Sequence, residues 1–357
     1  MVETCRPGGR DKGRNSMKAL FLQTIGNLSL SDAEKPLPRP DELLVRIEAC
    51  GICGTDRHLF KGEFPCRPPV TLGHEFAGII EAVGSEVRDF RPGMRVTGDP
   101  NIFCGHCPEC HRGRVQLCQN LTAIGIHRNG GFAQYVALPE KQAIALPLTL
   151  DPLWGAFCEP LACCLHGVDL ADVRPGSSVT VIGGGVIGML VVQLARLAGA
   201  ANVILVTRSA AKRKLAESLG ATATLDPSPG EVIGRIKAAS GLLPGGANVV
   251  FECAGVKETV EQAPHLAAPG GAAMILGVLP KGQKVEIEPF DLLFHEVRIL
   301  TSFINPFTHR RAAELIASGT IAVAPLISRT VGLDEAIEVI SHPAPGGEIR
   351  ALVLPNG

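Results

Sequence analysis

Ser178-Val179-Thr180-Val181-Ile182-Gly183-Gly184-Gly185-Val186-Ile187-Gly188 is the stretch that decides the fold. A strand-like apolar run, Ser178–Ile182, enters three glycines and leaves into Val186–Ala198, a segment of helical length. Gly183, Gly185 and Gly188 spell G-x-G-x-x-G, a weak pattern alone that gains meaning between a strand and a helix. Gly183 permits the tight turn, and Gly185 lets the backbone approach a pyrophosphate. Gly188 lets the helix pack close to the sheet, while the helix start around Val186 and Ile187 attracts the anion. The bland alternative is a plain glycine-rich turn.

Working outward, strands and helices alternate. Asn202–Val206 reads as a strand, Ser209–Leu219 as a helix capped by Ser209, Ala223–Leu225 as a strand and Gly230–Ala239 as a helix. Asn248–Glu252 and Ala272–Leu276 follow as strands. Such alternation implies a parallel sheet covered on both faces. Upstream, Lys18–Leu22, Glu42–Cys50, Ala77–Val83, Arg95–Gly98 and Phe132–Leu138 are short apolar segments broken by Gly and Pro, which suits a β-rich, barrel-like region with long loops. Downstream, a helix is expected at Thr308–Ser318 and a final strand at Ile349–Leu354. The expected division is a polar extension at 1–16, a β-rich domain at 17–165 to which 303–357 returns, and a nucleotide-binding domain at 166–302.

The formal net charge of -1 gives no electrostatic case for nucleic acid or an anionic membrane surface. Residues 1–16 lack the apolar core of a signal peptide, and no apolar run is long enough to span a membrane. With 12 cysteines in a large chain of this kind, a cytoplasmic location is expected, and thiols there serve as metal ligands or core residues.

Cys104, Cys107, Cys110 and Cys118 form C-x2-C-x2-C-x7-C, a set that can close a tetrahedral zinc shell. A zinc with no open position holds a loop and does no chemistry. His106 and His111, in the same lobe, are read as surface residues. A second site is sketched by Cys53-Gly54-Thr55-Asp56-Arg57-His58, Gly73-His74-Glu75 and Glu159-Pro160-Leu161. Cys53, His74 and one or both of Glu75 and Glu159 would hold a zinc with a position open to a substrate oxygen. Cys50, Cys158, Cys163, Cys164 and Cys253 lie in apolar runs and read as core; Cys5 and Cys66 read as loop residues.

Beyond Asn202–Val206 stand Thr207 and Arg208, with Lys212 and Arg213 a turn later. NAD readers usually carry an acid here for the ribose hydroxyls. Its absence, with Arg208 and Arg213 present, suits a 2′-phosphate and so favours NADP over NAD. Solvated charges at a helix start are the plainer reading.

Together these motifs, in this order, resemble the zinc-containing medium-chain dehydrogenase/reductase family, in its polyol, sorbitol and threonine dehydrogenase-like branch, from about Met17 to the C-terminus. The resemblance implies a GroES-like catalytic domain plus a Rossmann domain, a cleft between them, two zincs per subunit and hydride transfer between a secondary alcohol (a polyol, sugar alcohol or amino alcohol) and the nicotinamide. It assigns Thr55 and His58 to a proton relay and Asp56 to orienting His74 or holding the loop. A glutamate at Glu159, where simple alcohol dehydrogenases have cysteine, points to the polyol branch. Which glutamate reaches the metal directly stays open. Phe60, Phe64, His127, Arg298 and Phe303 are pocket candidates by family position. Val285–Ile287 is placed to extend a sheet across a two-fold axis in a dimer or tetramer. Two other readings have less support: a zinc-free enone or quinone reductase on the same fold, and a zinc-finger-like binding module.

Overall fold

The computed structural model describes residues 16–228, 232–239, 245–344 and 346–357. The segment 1–15, with Cys5, and the expected helix start at Gly230 lie outside these residues. Ser16, expected in the extension, is instead the first residue of the strand Ser16–Thr24.

A six-stranded parallel sheet forms around the glycine loop. Its spatial order is Ala223–Leu225, Asn202–Val206, Ser178–Ile182, Ala247–Glu252, Ala267–Ile275, Arg298–Thr301. Chain order reverses on either side of Ser178–Ile182, and such switch points open a crevice at the carboxyl ends of the strands. The central strands Asn202–Val206, Ser178–Ile182 and Ala247–Glu252 are buried on both faces, which is why they read as continuous apolar runs. Helix Val186–Leu197 buries nine residues against the sheet, and Ser209 caps Ala210–Ser218 by accepting from the Lys212 amide. This is the Rossmann arrangement.

The remaining strands make a mixed seven-stranded sheet and two small sheets. Glu42–Gly51 lies centrally, pairing with Glu75–Val83, Tyr135–Pro139 and the late strand Arg350–Val353. The chain therefore ends by laying its last strand beside one of its first, as Leu352 pairs with Gly51 and Val353 with Cys50.

Helix Cys158–Ala171 joins the two parts, with ten of its fourteen residues buried. One apolar cluster runs from Ala77 and Leu146 through Leu161 and Leu165 to Val181, Leu190 and Ala312. The Thr308 hydroxyl donates to the Ala162 carbonyl at 2.7 Å, pinning the helix His309–Ala317 to this connector. Val285–Ile287 joins no ladder within the chain; the Glu286 amide donates instead to Glu261 Oε1 at 2.8 Å.

Candidate metal centre and cofactor cleft

Three separate segments bring polar side chains to one cavity of about 210 Å³. Cys53 precedes the helix Gly54–Lys61, His74 and Glu75 stand at the start of Glu75–Val83, and Glu159 lies in the first turn of the connector helix. The ligand atoms of Cys53, His74 and Glu75 all fall within 4.8 Å of one another; Glu159 faces the same cavity from outside that set.

The local chemistry fits a divalent cation. Glu75 is 1% exposed, and its Oε1 has no hydrogen-bond partner among the described residues. Oε2 lies 3.2 Å from Arg350 Nη1. A buried carboxylate with an idle oxygen is costly unless a cation meets it. Gly51 makes room for it, since a Cβ there would sit 2.1 Å from Glu75 Oε2. Asp56, fully buried, accepts from the Cys53 amide at 2.8 Å and stands 3.6 Å from His74 Nδ1. Burial alone would lower the His74 pKa; Asp56 and Cys53 outweigh it and hold it well above the usual range. Burial pushes the Glu159 carboxyl up to about 7, with His74 opposing and Glu75 reinforcing.

Cys163 does not sit in the core as its apolar run suggests. One helical turn beyond Glu159, it faces the same cavity and its thiol donates to Glu159 Oε1 at 3.4 Å. Thr55 and Phe64 line the cavity, as does Phe303. The other pocket candidates do not line it. Phe60 packs on the β-rich core, and His127 Nδ1 accepts from the Ala123 amide at 3.1 Å. Arg298 faces a cavity at the opposite, amino end of the parallel sheet. His58 sits one turn after Thr55 and holds Glu63, Nδ1 to Oε2 2.6 Å. Glu63, Arg350 and Asn101 escape the sequence reading. Their partners come from distant segments or a loop, so no motif announces them.

The cysteine lobe is self-contained. The Sγ atoms of Cys107 and Cys110 are 3.5 Å apart, those of Cys104 and Cys118 3.5 Å, and those of Cys107 and Cys118 3.9 Å. Tetrahedral Zn–S bonds of about 2.3 Å place sulfurs about 3.8 Å apart, so the four thiols fit a zinc without rearrangement. His106 and His111 are exposed.

At the glycine loop, a Cβ on Gly188 would meet the Gly183 carbonyl oxygen at 1.9 Å, so only glycine allows the helix to start so near the turn. Gly185, just before Val186 and Ile187, faces open space. Thr207 lies against Gly184, and Arg208 is exposed, its guanidinium without a hydrogen-bond partner among the described residues. Arg213 is already committed: its Nη1 donates to the carbonyls of Thr207 and Arg208, at 2.7 and 2.8 Å, and to Asp226 at 3.0 Å. It braces the loop that carries Arg208. Lys212 is half-buried, and that burial lowers its pKa.

The alcohol dehydrogenase GroES-like domain family matches residues 39–148, and the zinc-binding dehydrogenase family matches residues 186–318. A zinc-type alcohol dehydrogenase-like protein of Escherichia coli K12 is 36% identical over 315 residues, 86% of this chain and 89% of its own. The crystal structure of a zinc-binding dehydrogenase from Sinorhizobium meliloti 1021, bound to NADP, is 64% identical; the match covers 96% of this chain and 100% of that one, with a TM-score of 0.93. Galactitol-1-phosphate dehydrogenase from Escherichia coli is 31% identical, covering 95% and 100%, with a TM-score of 0.86.

Proposed function

We infer the reaction from one premise: the chain belongs to the zinc-containing medium-chain dehydrogenase/reductase family. It is an oxidoreductase acting on alcohol carbons, with a small-molecule alcohol as substrate. We assign it the NADP-linked oxidation of a secondary alcohol in a polyol, sugar alcohol or amino alcohol. The observation that carries this is the convergence of Cys53, His74 and Glu75 on a cavity that Glu159 and Thr55 also line.

Cys53, His74 and Glu75 would hold the catalytic zinc, with Glu159 beside it, and Cys104, Cys107, Cys110 and Cys118 the structural one. When bound, the zinc supplies a Lewis acid that eases loss of the alcohol proton, and the nicotinamide accepts the hydride. The chain's own part is positioning and proton movement. Asp56, 3.6 Å from His74 Nδ1, would orient the His74 ring. Thr55 would accept the proton at its hydroxyl as it gives up its own towards His58, a turn away on the same helix, whose ring Glu63 keeps oriented and which would release a proton outward. Phe64, Ile126, Leu276 and Phe303 keep water from the reacting carbon.

For the cofactor we favour NADP. Gly183, Gly185, Val186, Ile187 and Gly188 would hold the pyrophosphate, and Thr207 and Arg208 the adenosine ribose, with the Arg208 guanidinium available to a 2′-phosphate. The Sinorhizobium meliloti relative was solved with NADP. We also propose a homo-oligomer: Arg298–Thr301 is an edge strand with Ile299 exposed, and Phe290, Leu293 and Phe294 are exposed on the helix beside it. A cytoplasmic setting suits cysteines that are all unpaired among the described residues, in a chain where no described helix could cross a membrane. Residues 17–165 with 303–357 form the catalytic unit in this reading, and 166–302 the nucleotide unit.

The test is nicotinamide absorbance across a panel of secondary alcohols, with NAD and NADP, before and after chelation. Polyol oxidation that prefers NADP and disappears with the metal supports the assignment. Turnover untouched after verified zinc removal would sink it.

A further inference from the structure

We propose that Asn101 is a specificity residue, and that its side-chain oxygen accepts a hydrogen bond from a second hydroxyl of the alcohol. This rests on the reading of the cavity as a polyol site.

Asn101 is 9% exposed and lines the cavity that holds Cys53, His74, Glu75 and Glu159. Its Nδ2 donates to Asn305 Oδ1 at 2.7 Å and to Asp99 Oδ1 at 3.3 Å. The same Asp99 oxygen takes the Asn101 backbone amide at 3.0 Å and Asn305 Nδ2 at 3.4 Å. Asn305 Nδ2 also reaches His309 Nδ1 at 3.1 Å. A carboxylate can only accept. Asp99 therefore forces both neighbouring amides to turn their nitrogens towards it, and neither can flip without setting oxygen against oxygen.

Both Nδ2 hydrogens of Asn101 are thus used, and Oδ1 has no protein donor among the described residues. Its direction follows from its surroundings. Asp99, Asn101 and Asn305 all line a second cavity, of about 290 Å³, and of the three only Asn101 also lines the metal cavity. The nitrogen of the Asn101 amide is turned to that second side, which leaves the oxygen on the metal side. Apart from the metal end, the metal cavity's polar side chains are Thr55, Asn101 and Ser302, and its other walls include Phe64, Ile126, Leu276, Phe303 and Ile304. An acceptor that cannot rotate away rewards a substrate hydroxyl at no rotamer cost. It is left unpaired beside a methyl or methylene, which is how a polar site rejects an analogue lacking the group.

Butane-2,3-diol and butan-2-ol differ by that one hydroxyl. Their binding to the zinc-loaded enzyme with NADPH, a complex that cannot oxidise alcohol, isolates recognition from turnover, and calorimetry at pH 8 reads it. The wild type should prefer the diol. Asn101→Ala should weaken the diol roughly tenfold or more and leave butan-2-ol unchanged. Asn305→Ala, which keeps Asn101 and its Asp99 contact but removes the shorter of the two acceptors that hold its nitrogen, should erode the same preference in part and serves if the first variant does not fold. A wild type with no preference, or variants in which both alcohols weaken together, overturns the proposal. Diol preference in this complex without any NADP-linked oxidation of the diol would uphold Asn101 as a recognition group and defeat the dehydrogenase reading instead.

Discussion

Single side chains do their work here through partners that hold them still. His58 and Glu63 illustrate this, since a 2.6 Å contact to Nδ1 leaves Nε2 as the ring's free nitrogen. Glu63→Gln should lower kcat roughly tenfold, with the KM for NADP and the melting temperature unchanged, and Glu63→Asp should restore part of the loss. Steady-state kinetics on the three proteins checks it; a KM effect alone would mean that Glu63 shapes the loop and not the relay. His309 is the clearest pH-sensitive group. Fully enclosed, it is driven by burial down to about 3 from an ordinary value near 6.5. A depressed pKa means the unfolded chain takes the proton first. The stability is complete above about pH 6.5 and is lost as pH falls towards 3, by a few kcal/mol in all. His309→Gln, neutral throughout, should flatten that dependence. Denaturant midpoints at pH 7.5 and 5 compare the two slopes.

At the scale of elements, the cysteine lobe stands apart. Its helix, Pro108–His111, has four residues and buries none of them, so apolar packing contributes little there. The thiols are close enough for zinc to do the holding. Cys107→Ser should cost one zinc per chain by elemental analysis and lower Tm by roughly 4 °C, in line with about 3 kcal/mol lost. Full zinc content in that variant would mean three thiols suffice. The connector helix Cys158–Ala171 is the opposite case. It is stabilised by burial on several sides, and it carries Glu159 and Cys163 into the cavity as a rigid pair. The sequence points Glu159 to the metal site and Cys163 to the core, and the structure sets both on the cavity wall. Both lie in one apolar run, and only the helix's rotation separates a cavity-facing position from a buried one.

For the whole molecule, the question is what covers the edge of the parallel sheet. Arg298–Thr301 ends the sheet, and Phe290, Leu293 and Phe294 stand out beside it at 64, 73 and 68% exposure. An apolar patch near a strand whose outer edge is open favours a second copy. Phe294→Glu should shift the protein towards monomers in sedimentation velocity, and an unchanged distribution would place the contact elsewhere. The expected strand Val285–Ile287 is absent from the single chain, because strand pairing across an axis is not a property one chain can have.

Much of this protein is local and was therefore legible. The strand, glycine turn and helix at Ser178–Leu197, the alternation that follows, and the tight spacing of Cys104 to Cys118 all act over a few residues, and residue type alone dictates them. Cys53 and His74 were legible as candidates, since metal ligands must be of a few chemical kinds, and the structure brings them together. What only the tertiary structure decided is which groups meet across the chain. It set Glu75, and not Glu159, among the close ligand atoms. It spent Arg213 on carbonyls and left Arg208 free, brought Glu63 to His58, and locked Asn101 between Asp99 and Asn305. Those outcomes depend on angles and depths a fraction of a helical turn apart, set by packing of segments up to two hundred residues distant, as Asn101 and Asn305 are.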